Sequence, residues 1–178
     1  MARPRLTGVL LVGGASTRFG SPKALARLGH ETLAARAWRT LGEACDDRLA
    51  VGKRGDGLEL PFELVDDEAD TRAALAGIVA GLRASRSPVT VMLAVDTPLV
   101  TADLLRRLGA ACADAAAPTT APLPAAFARS ALPVLERRLL EGRLALHEAL
   151  DGLDTRRIEV DETLLANVNT PDELRRLG

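Results

Sequence analysis

Aromatic residues are nearly missing from this chain: three Phe, one Trp and no Tyr, 2% of 178 positions. Without stacking rings, a platform for single-stranded nucleic acid is excluded. No charge of one sign accumulates either, because 23 Lys and Arg stand against 24 Asp and Glu for a net charge of −1, which excludes the basic footprint of a duplex-binding protein. No nucleic-acid partner is expected, and any phosphate bound must be met by a few placed residues. Cysteine is scarce. Cys45 and Cys112 form no CxxC pair, which excludes a disulfide framework and a zinc cluster and leaves two small buried thiols in a reducing compartment. His30 and His147 lack transition-metal spacing and suit surface or helix-end positions. Long apolar runs are absent too. The N-terminal "LTGVLLVGG" is too short and too broken by glycine for a leader, no stretch approaches a membrane span, and a cytoplasmic protein with no membrane partner is expected.

What remains, 47% apolar and 26% charged residues, is a globular composition. A chain of this length makes one domain that buries roughly 70% of its unfolded surface. Apolar runs of strand length alternate with helical patterns, the signature of an α/β fold on a mostly parallel sheet. Strands are expected at Leu6–Val12, Arg48–Val51, Phe62–Val65, Val89–Val95 and, more weakly, Arg157–Val160. Helical spacing marks residues 31–44, 71–85, 101–115 and 129–150. The proline-rich "AAAPTTAPLPAA", residues 115–126, reads as a stiff loop or extended segment rather than a helix. Arg137, Arg138 and Arg143 suit either a basic patch for an anionic acceptor or the outer face of an amphipathic helix.

The first strand breaks into "VGGASTRFGSPKAL". Ligands of open α/β sheets bind at the carboxyl ends of strands, where glycines let backbone N–H groups approach a phosphate. Arg18 and Lys23 add positive charge there. Neither a Walker loop nor a GxGxxG fingerprint fits, because Lys23 stands between Pro22 and Ala24 and Gly13-Gly14 with Gly20 has the wrong spacing. By composition alone, the stretch reads equally as a structural turn. Asp96 closes the apolar "VMLAVDTPLV", either as a turn residue before Pro98 or as a carboxylate placed for a divalent metal. Asp66 and Asp67 precede a helix that their charge would favour. In "NVNTPDEL", Thr170, Pro171 and Glu173 make a capping box, which leaves Asn167 and Asn169 unexplained.

"LVGGASTRFGSPK" resembles the LxGGxSxRxGxxK signature of the nucleotidyltransferases related to molybdenum cofactor guanylyltransferase, matching at Leu11, Gly13, Gly14, Ser16, Arg18, Gly20 and Lys23. The resemblance runs from residue 8 to residue 174 and is weakest over 113–126. It implies a Rossmann-like three-layer sandwich in one domain over 1–178, with a nucleotide half near 1–100 and an acceptor half near 101–178. It further implies that the loop wraps the nucleotide triphosphate, that Leu11, Val12 and Gly13 run beside the base, and that Arg18 and Lys23 counter phosphate charge. Asp96 would bind Mg²⁺, with Asn169 near the metal and Asn167 ordering the site. Asp67, Leu75 and Gly77 would line the nucleotide pocket. "APLPAAFARSALPVLERRL" resembles the family's acceptor-side segment, a Pro-Leu followed by a short strand and a helix.

Two stretches depart from the family's pattern: Ala73-Ala74 replaces Gly-Pro before Leu75, and Lys53 stands where guanylyltransferases carry an Asn that helps hold guanine. The implied reaction moves GMP from GTP to a molybdopterin-type acceptor, with a molybdoenzyme chaperone as a further partner. A cytidylyl or other NTP transferase acting on another phosphorylated acceptor, and a non-catalytic nucleotide-binding accessory protein, are the alternatives.

Overall fold

The computed structural model describes residues 4–13 and 22–177. In chain order its regular elements are β1 (Leu6–Leu11), a small ribbon of β2 (Arg27–Leu28) and β3 (Glu31–Thr32), α1 (Leu33–Ala44), β4 (Asp47–Gly52), β5 (Leu64–Asp66), α2 (Ala74–Ala84), β6 (Val89–Ala94), α3 (Ala102–Ala111), β7 (Ala115–Pro118), β8 (Ala125–Ala128), α4 (Leu132–Leu140), α5 (Leu146–Asp151), β9 (Thr155–Ile158) and α6 (Pro171–Arg175). Seven strands form one sheet in the order β5-β4-β1-β6-β8-β7-β9. Every neighbouring pair is parallel except the two that involve β8, which runs against β6 on one side and β7 on the other.

Alternation along β1 sorts the two faces. Leu6 and Leu10 enter the core shared with α1 and α3, whereas Val9 and Leu11 enter the core shared with α2, α4 and α5. The result is the expected helix–sheet–helix sandwich. Helices α1 and α3 start on threonine caps: Thr32 accepts from the Ala35 N–H at 3.1 Å and Thr101 from the Leu104 N–H at 3.3 Å. On the other face α2 lies close to the sheet because Gly81 has no side chain; a Cβ there would stand 2.8 Å from Val9 Cγ1.

The structure decides or corrects several expectations. Residues 115–126 take the extended alternative at both ends: β7 lies within the segment and β8 begins in it, completely buried at Ala115, Ala116, Ala117, Ala125 and Ala126. The helical pattern of 129–150 is two helices, because Gly142 takes the left-handed φ of +69° between them. Of the three arginines singled out, Arg137 and Arg143 are exposed and Arg138 is not. Arg138 is turned inward, 6% exposed, with its guanidinium 3.0 Å from Glu148, while Arg143 pairs with Glu141 at 3.5 Å. Both cysteines are half-buried rather than sealed in the core. No helix among the described residues is long and apolar enough to cross a membrane.

Candidate active site

The carboxyl ends of β1, β4, β5 and β6 open onto a cleft of about 350 Å³. Leu11, Val51 and Gly52 line it from the central strands, Ala73, Ala74 and Gly77 from the start of α2, and Asp96 and Thr97 from the turn after β6. The far wall comes from the β7–β8 turn, through Ala121, Pro122 and Leu123, and from Leu165 and Asn167. Strand β8 runs antiparallel, so the preceding turn returns to this same edge of the sheet.

Three distant segments meet at one end. Lys23, in a short 3-10 turn, places Nζ 3.4 Å from Asp96 Oδ2 and 3.2 Å from Asn169 Oδ1. Asp96 is held by backbone: the Val95 N–H donates to the Leu11 carbonyl at 3.1 Å, and the Asp96 carbonyl accepts from Val168 N–H at 2.8 Å. Those bonds dock the strand-like 167–169 segment against the β6 turn. The capping box of α6 is present, with Thr170 Oγ1 accepting from Glu173 N–H and Glu173 Oε2 accepting from Thr170 N–H, both at 3.2 Å. Glu173 Oε2 also accepts from Asn169 N–H at 2.6 Å, which orients the backbone that carries the Asn169 amide.

At the other end, Lys53 and Asp67 form an ion pair at 2.5 Å, their side chains 18% and 8% exposed. Lys53 Nζ also donates to the Ala69 carbonyl, and Asp67 Oδ1 accepts from Ala69 N–H at 3.1 Å. Around this pair the loops after β4 and β5 are stitched together. Asp66 accepts from Arg54 N–H and Glu68 N–H, hydrogen bonds that hold its carboxyl below the usual range, the Glu68 bond most strongly. Arg72 grips Asp56 with two N–H groups at 2.9 and 2.7 Å; those hydrogen bonds lower the carboxyl and raise the guanidinium.

Of the residues singled out in the sequence, Leu11, Gly13, Asp67, Gly77, Asp96 and Asn167 line the cleft, and Lys23 and Asn169 join Asp96. Leu75 does not line it: its side chain is fully buried in the core of the α2 face. Val12 is buried as well, its N–H donating to the Val51 carbonyl at 3.0 Å. Gly14, Ser16, Arg18 and Gly20 lie outside the described residues. Arg72, Thr97 and Leu165 line the cleft without any signal in the sequence that could have found them.

Residues 8–156 match the family model of the MobA-like NTP transferase domain. The molybdenum cofactor guanylyltransferase of Pseudomonas putida is 33% identical, the alignment covering 98% of both chains. That of Desulfosudis oleivorans is 31% identical over 96% of this chain and 93% of its own. The crystal structure of molybdopterin-guanine dinucleotide biosynthesis protein A from Archaeoglobus fulgidus superposes with a TM-score of 0.82 at 27% identity, covering 96% of each chain. The fold is also that of 2-C-methyl-D-erythritol 4-phosphate cytidylyltransferase from Thermus thermophilus, with a TM-score of 0.74 at 18% identity over 95% of each chain.

Proposed function

Because the chain belongs to the MobA-like NTP transferase domain family, we propose that it moves GMP from GTP to the phosphate of molybdopterin, or of its molybdenum form, and releases pyrophosphate. The observation that carries this reading is the convergence of Lys23, Asp96 and Asn169 at one end of a cleft built on the strand ends. A cytoplasmic enzyme is the matching setting, handing its product to a molybdoenzyme or a chaperone of one; neither nucleic acid nor membrane is a partner.

In this reaction an oxygen of the acceptor phosphate attacks the α-phosphorus of GTP, and the bond from that phosphorus to the departing pyrophosphate breaks. The protein's part is positioning and charge stabilisation. No general base is needed, because a phosphate monoester with a second pKa of about 6 is already largely ionised near neutral pH. Lys23 stabilises the charge that builds on the departing pyrophosphate, assisted by Arg18. Leu11, Val12, Gly13, Gly14 and Ser16 carry the backbone that wraps the nucleotide. Gly77 and the backbone before Leu75 border the nucleotide, and Asp67 faces its base.

The cation implied by the family is Mg²⁺, and the residues present fit it. Asp96 Oδ2 and Asn169 Oδ1 both lie within 3.4 Å of one cationic nitrogen, so two hard oxygen donors already converge where a positive charge is favoured. A metal bound jointly by protein and substrate phosphates needs only one or two carboxylates from the chain. When bound, Mg²⁺ supplies Lewis-acid stabilisation of the phosphoryl oxygens.

The test is calorimetric titration with GTP, CTP, ATP and UTP in Mg²⁺, followed by pyrophosphate release with molybdopterin as acceptor. Selective GTP binding and pyrophosphate release that stops on chelation with EDTA are expected. Preference for CTP would overturn the guanylyl reading, and nucleotide binding without turnover on any phosphorylated acceptor would make the chain an accessory protein.

A further inference from the structure

We propose that Glu173 is a positioning residue for the Asp96 end of the cleft: by accepting the Asn169 N–H it sets the Asn169 amide beside Asp96, and so tunes how far Mg²⁺ tightens the hold on a nucleotide. The proposal rests on the nucleotidyltransferase reading, in which Asn169 stands near the metal. It gives Glu173 a task beyond the helix cap that is legible in the sequence.

Local geometry separates the two tasks. A capping box asks one bond of its glutamate side chain, from the N–H of the cap residue, here Thr170. Glu173 Oε2 takes that bond at 3.2 Å, yet the same oxygen takes the Asn169 N–H, one residue outside the helix, at 2.6 Å. The carboxylate is therefore seated closer to Asn169 than to the residue it caps. A hydrogen bond to an ionised acceptor is roughly twice as strong as one between neutral groups, so this contact is a firm one.

The surroundings of Asn169 show why it needs a brace. Residues on either side of it are anchored: Val168 is completely buried and donates its N–H to the Asp96 carbonyl at 2.8 Å, and Leu174 packs into the same core. Asn169 itself is exposed, so packing contributes little to its orientation. Its position is left to backbone hydrogen bonds, and Glu173 supplies the one on its own N–H. With that bond made, Asn169 Oδ1 lies 3.2 Å from Lys23 Nζ, which stands 3.4 Å from Asp96 Oδ2. A continuous chain of polar contacts thus runs from α6 to the turn after β6: Glu173 to Asn169, Asn169 to Lys23, Lys23 to Asp96. Partners that orient a metal-binding side chain from behind are commonly worth 10- to 100-fold in metal affinity. Because Glu173 does not line the cleft among the described residues, its effect on a nucleotide has to pass through Asn169.

Calorimetric binding of GTP to the full chain, once in Mg²⁺ and once in EDTA, tests this; the ratio of the two dissociation constants is the gain conferred by the metal. Glu173→Ala should cut that gain about 10-fold and leave binding in EDTA nearly unchanged. Glu173→Gln, whose amide oxygen still accepts from an N–H, should restore most of it. Thr170→Ala removes the other half of the capping box, the bond from Glu173 N–H to Thr170 Oγ1, and is the control for a merely structural role. It should lower the urea midpoint much as Glu173→Ala does, yet keep the full gain. Glu173→Ala added to Asn169→Ala should cost no more than Asn169→Ala alone, as expected of two residues acting through one contact. An undiminished gain in Glu173→Ala, an equal loss in Thr170→Ala, or a further loss on top of Asn169→Ala would reduce Glu173 to a helix cap and overturn the proposal while leaving the nucleotidyltransferase standing. A wild-type chain whose GTP affinity does not respond to Mg²⁺ would instead overturn the reading on which the proposal rests.

Discussion

Lys23 and Asp96 stand 73 positions apart in the chain, yet the ammonium of the first lies 3.4 Å from the carboxylate of the second. Neither residue has local reason to meet the other. The parallel pairing of β1 with β6 sets their strands side by side in register from Leu6 opposite Val89 to Leu11 opposite Ala94. The chain then turns Lys23 back over that edge. The ion pair is a product of sheet topology, and its chemistry is available only in the folded molecule.

Asp96→Ala is expected to lower pyrophosphate release by at least ~10²-fold, the scale of removing one preorganised electrostatic group. Lys23→Ala should act in the same direction. The two side chains are 28% and 15% exposed, so losing their ion pair should change the free energy of unfolding by no more than about 1 kcal/mol. Turnover and urea unfolding measured on the same preparations would check both halves. Near-native turnover of Asp96→Ala would remove that carboxylate from the site.

Cys112 provides a pH dependence. Burial pushes its thiol from the ordinary 9.0 up to about 11. The folded chain thus holds this proton more tightly than the unfolded chain. The stability that follows is complete below about pH 9 and is lost as the pH rises toward 11. At pH 8 the thiolate population is roughly 10²-fold below that of an ordinary cysteine, so iodoacetamide should modify Cys112 correspondingly slowly until the protein is unfolded. Mass spectrometry of the alkylated peptides would resolve it from Cys45, and rapid modification at pH 8 would contradict the burial.

The sheet–helix seam supplies a stability prediction. Gly81→Ala puts a methyl group 2.8 Å from Val9 Cγ1, and Val9 is fully buried with a branched side chain that has little room to turn. Overpacking should outweigh the helix preference for alanine and destabilise by about 1–3 kcal/mol. Phe127→Ala, which empties the centre of the same core, should cost about 3–5 kcal/mol. Urea unfolding of the two variants would test the order as well as the size.

The parts of the fold legible beforehand were those in which local pattern and tertiary role agree. The apolar runs at β1 and β6 are buried along almost their entire length, as strands in the middle of a parallel sheet must be. The pair β7 and β8 was legible only as extended chain and, for β8, through the resemblance around Pro122 and Leu123. "AAAP" has no strand propensity of its own and "AAFA" only that of Phe127, and neighbours on both sides make them strands. Arg138 was unreadable because its helical spacing does not reveal that α5 returns to place Glu148 beside it. In the site, Lys23, Asp96, Asn169 and the Pro-Leu of the 121–123 wall were found through motif resemblance, whereas Arg72 carries no motif. Leu75 shows the limit of motif transfer. It belongs to the matching segment, but its side chain serves the core, and smaller neighbours at 73, 74 and 77 border the cleft.

The single reversed strand, β8, divides the labour of the cleft. The side proposed for the nucleotide is made by loops that leave parallel strands and must reach a helix on a fixed face, so their lengths are constrained by the crossover. The opposite wall, residues 121–123, is the tip of a turn between two antiparallel strands, which can lengthen, shorten or change residues while β7 and β8 keep their pairing. On the proposed function, exchanging that tip is a route to new acceptors with the nucleotide side unaltered, and a chimera carrying a longer turn should change which phosphate is modified before it changes which nucleotide is consumed.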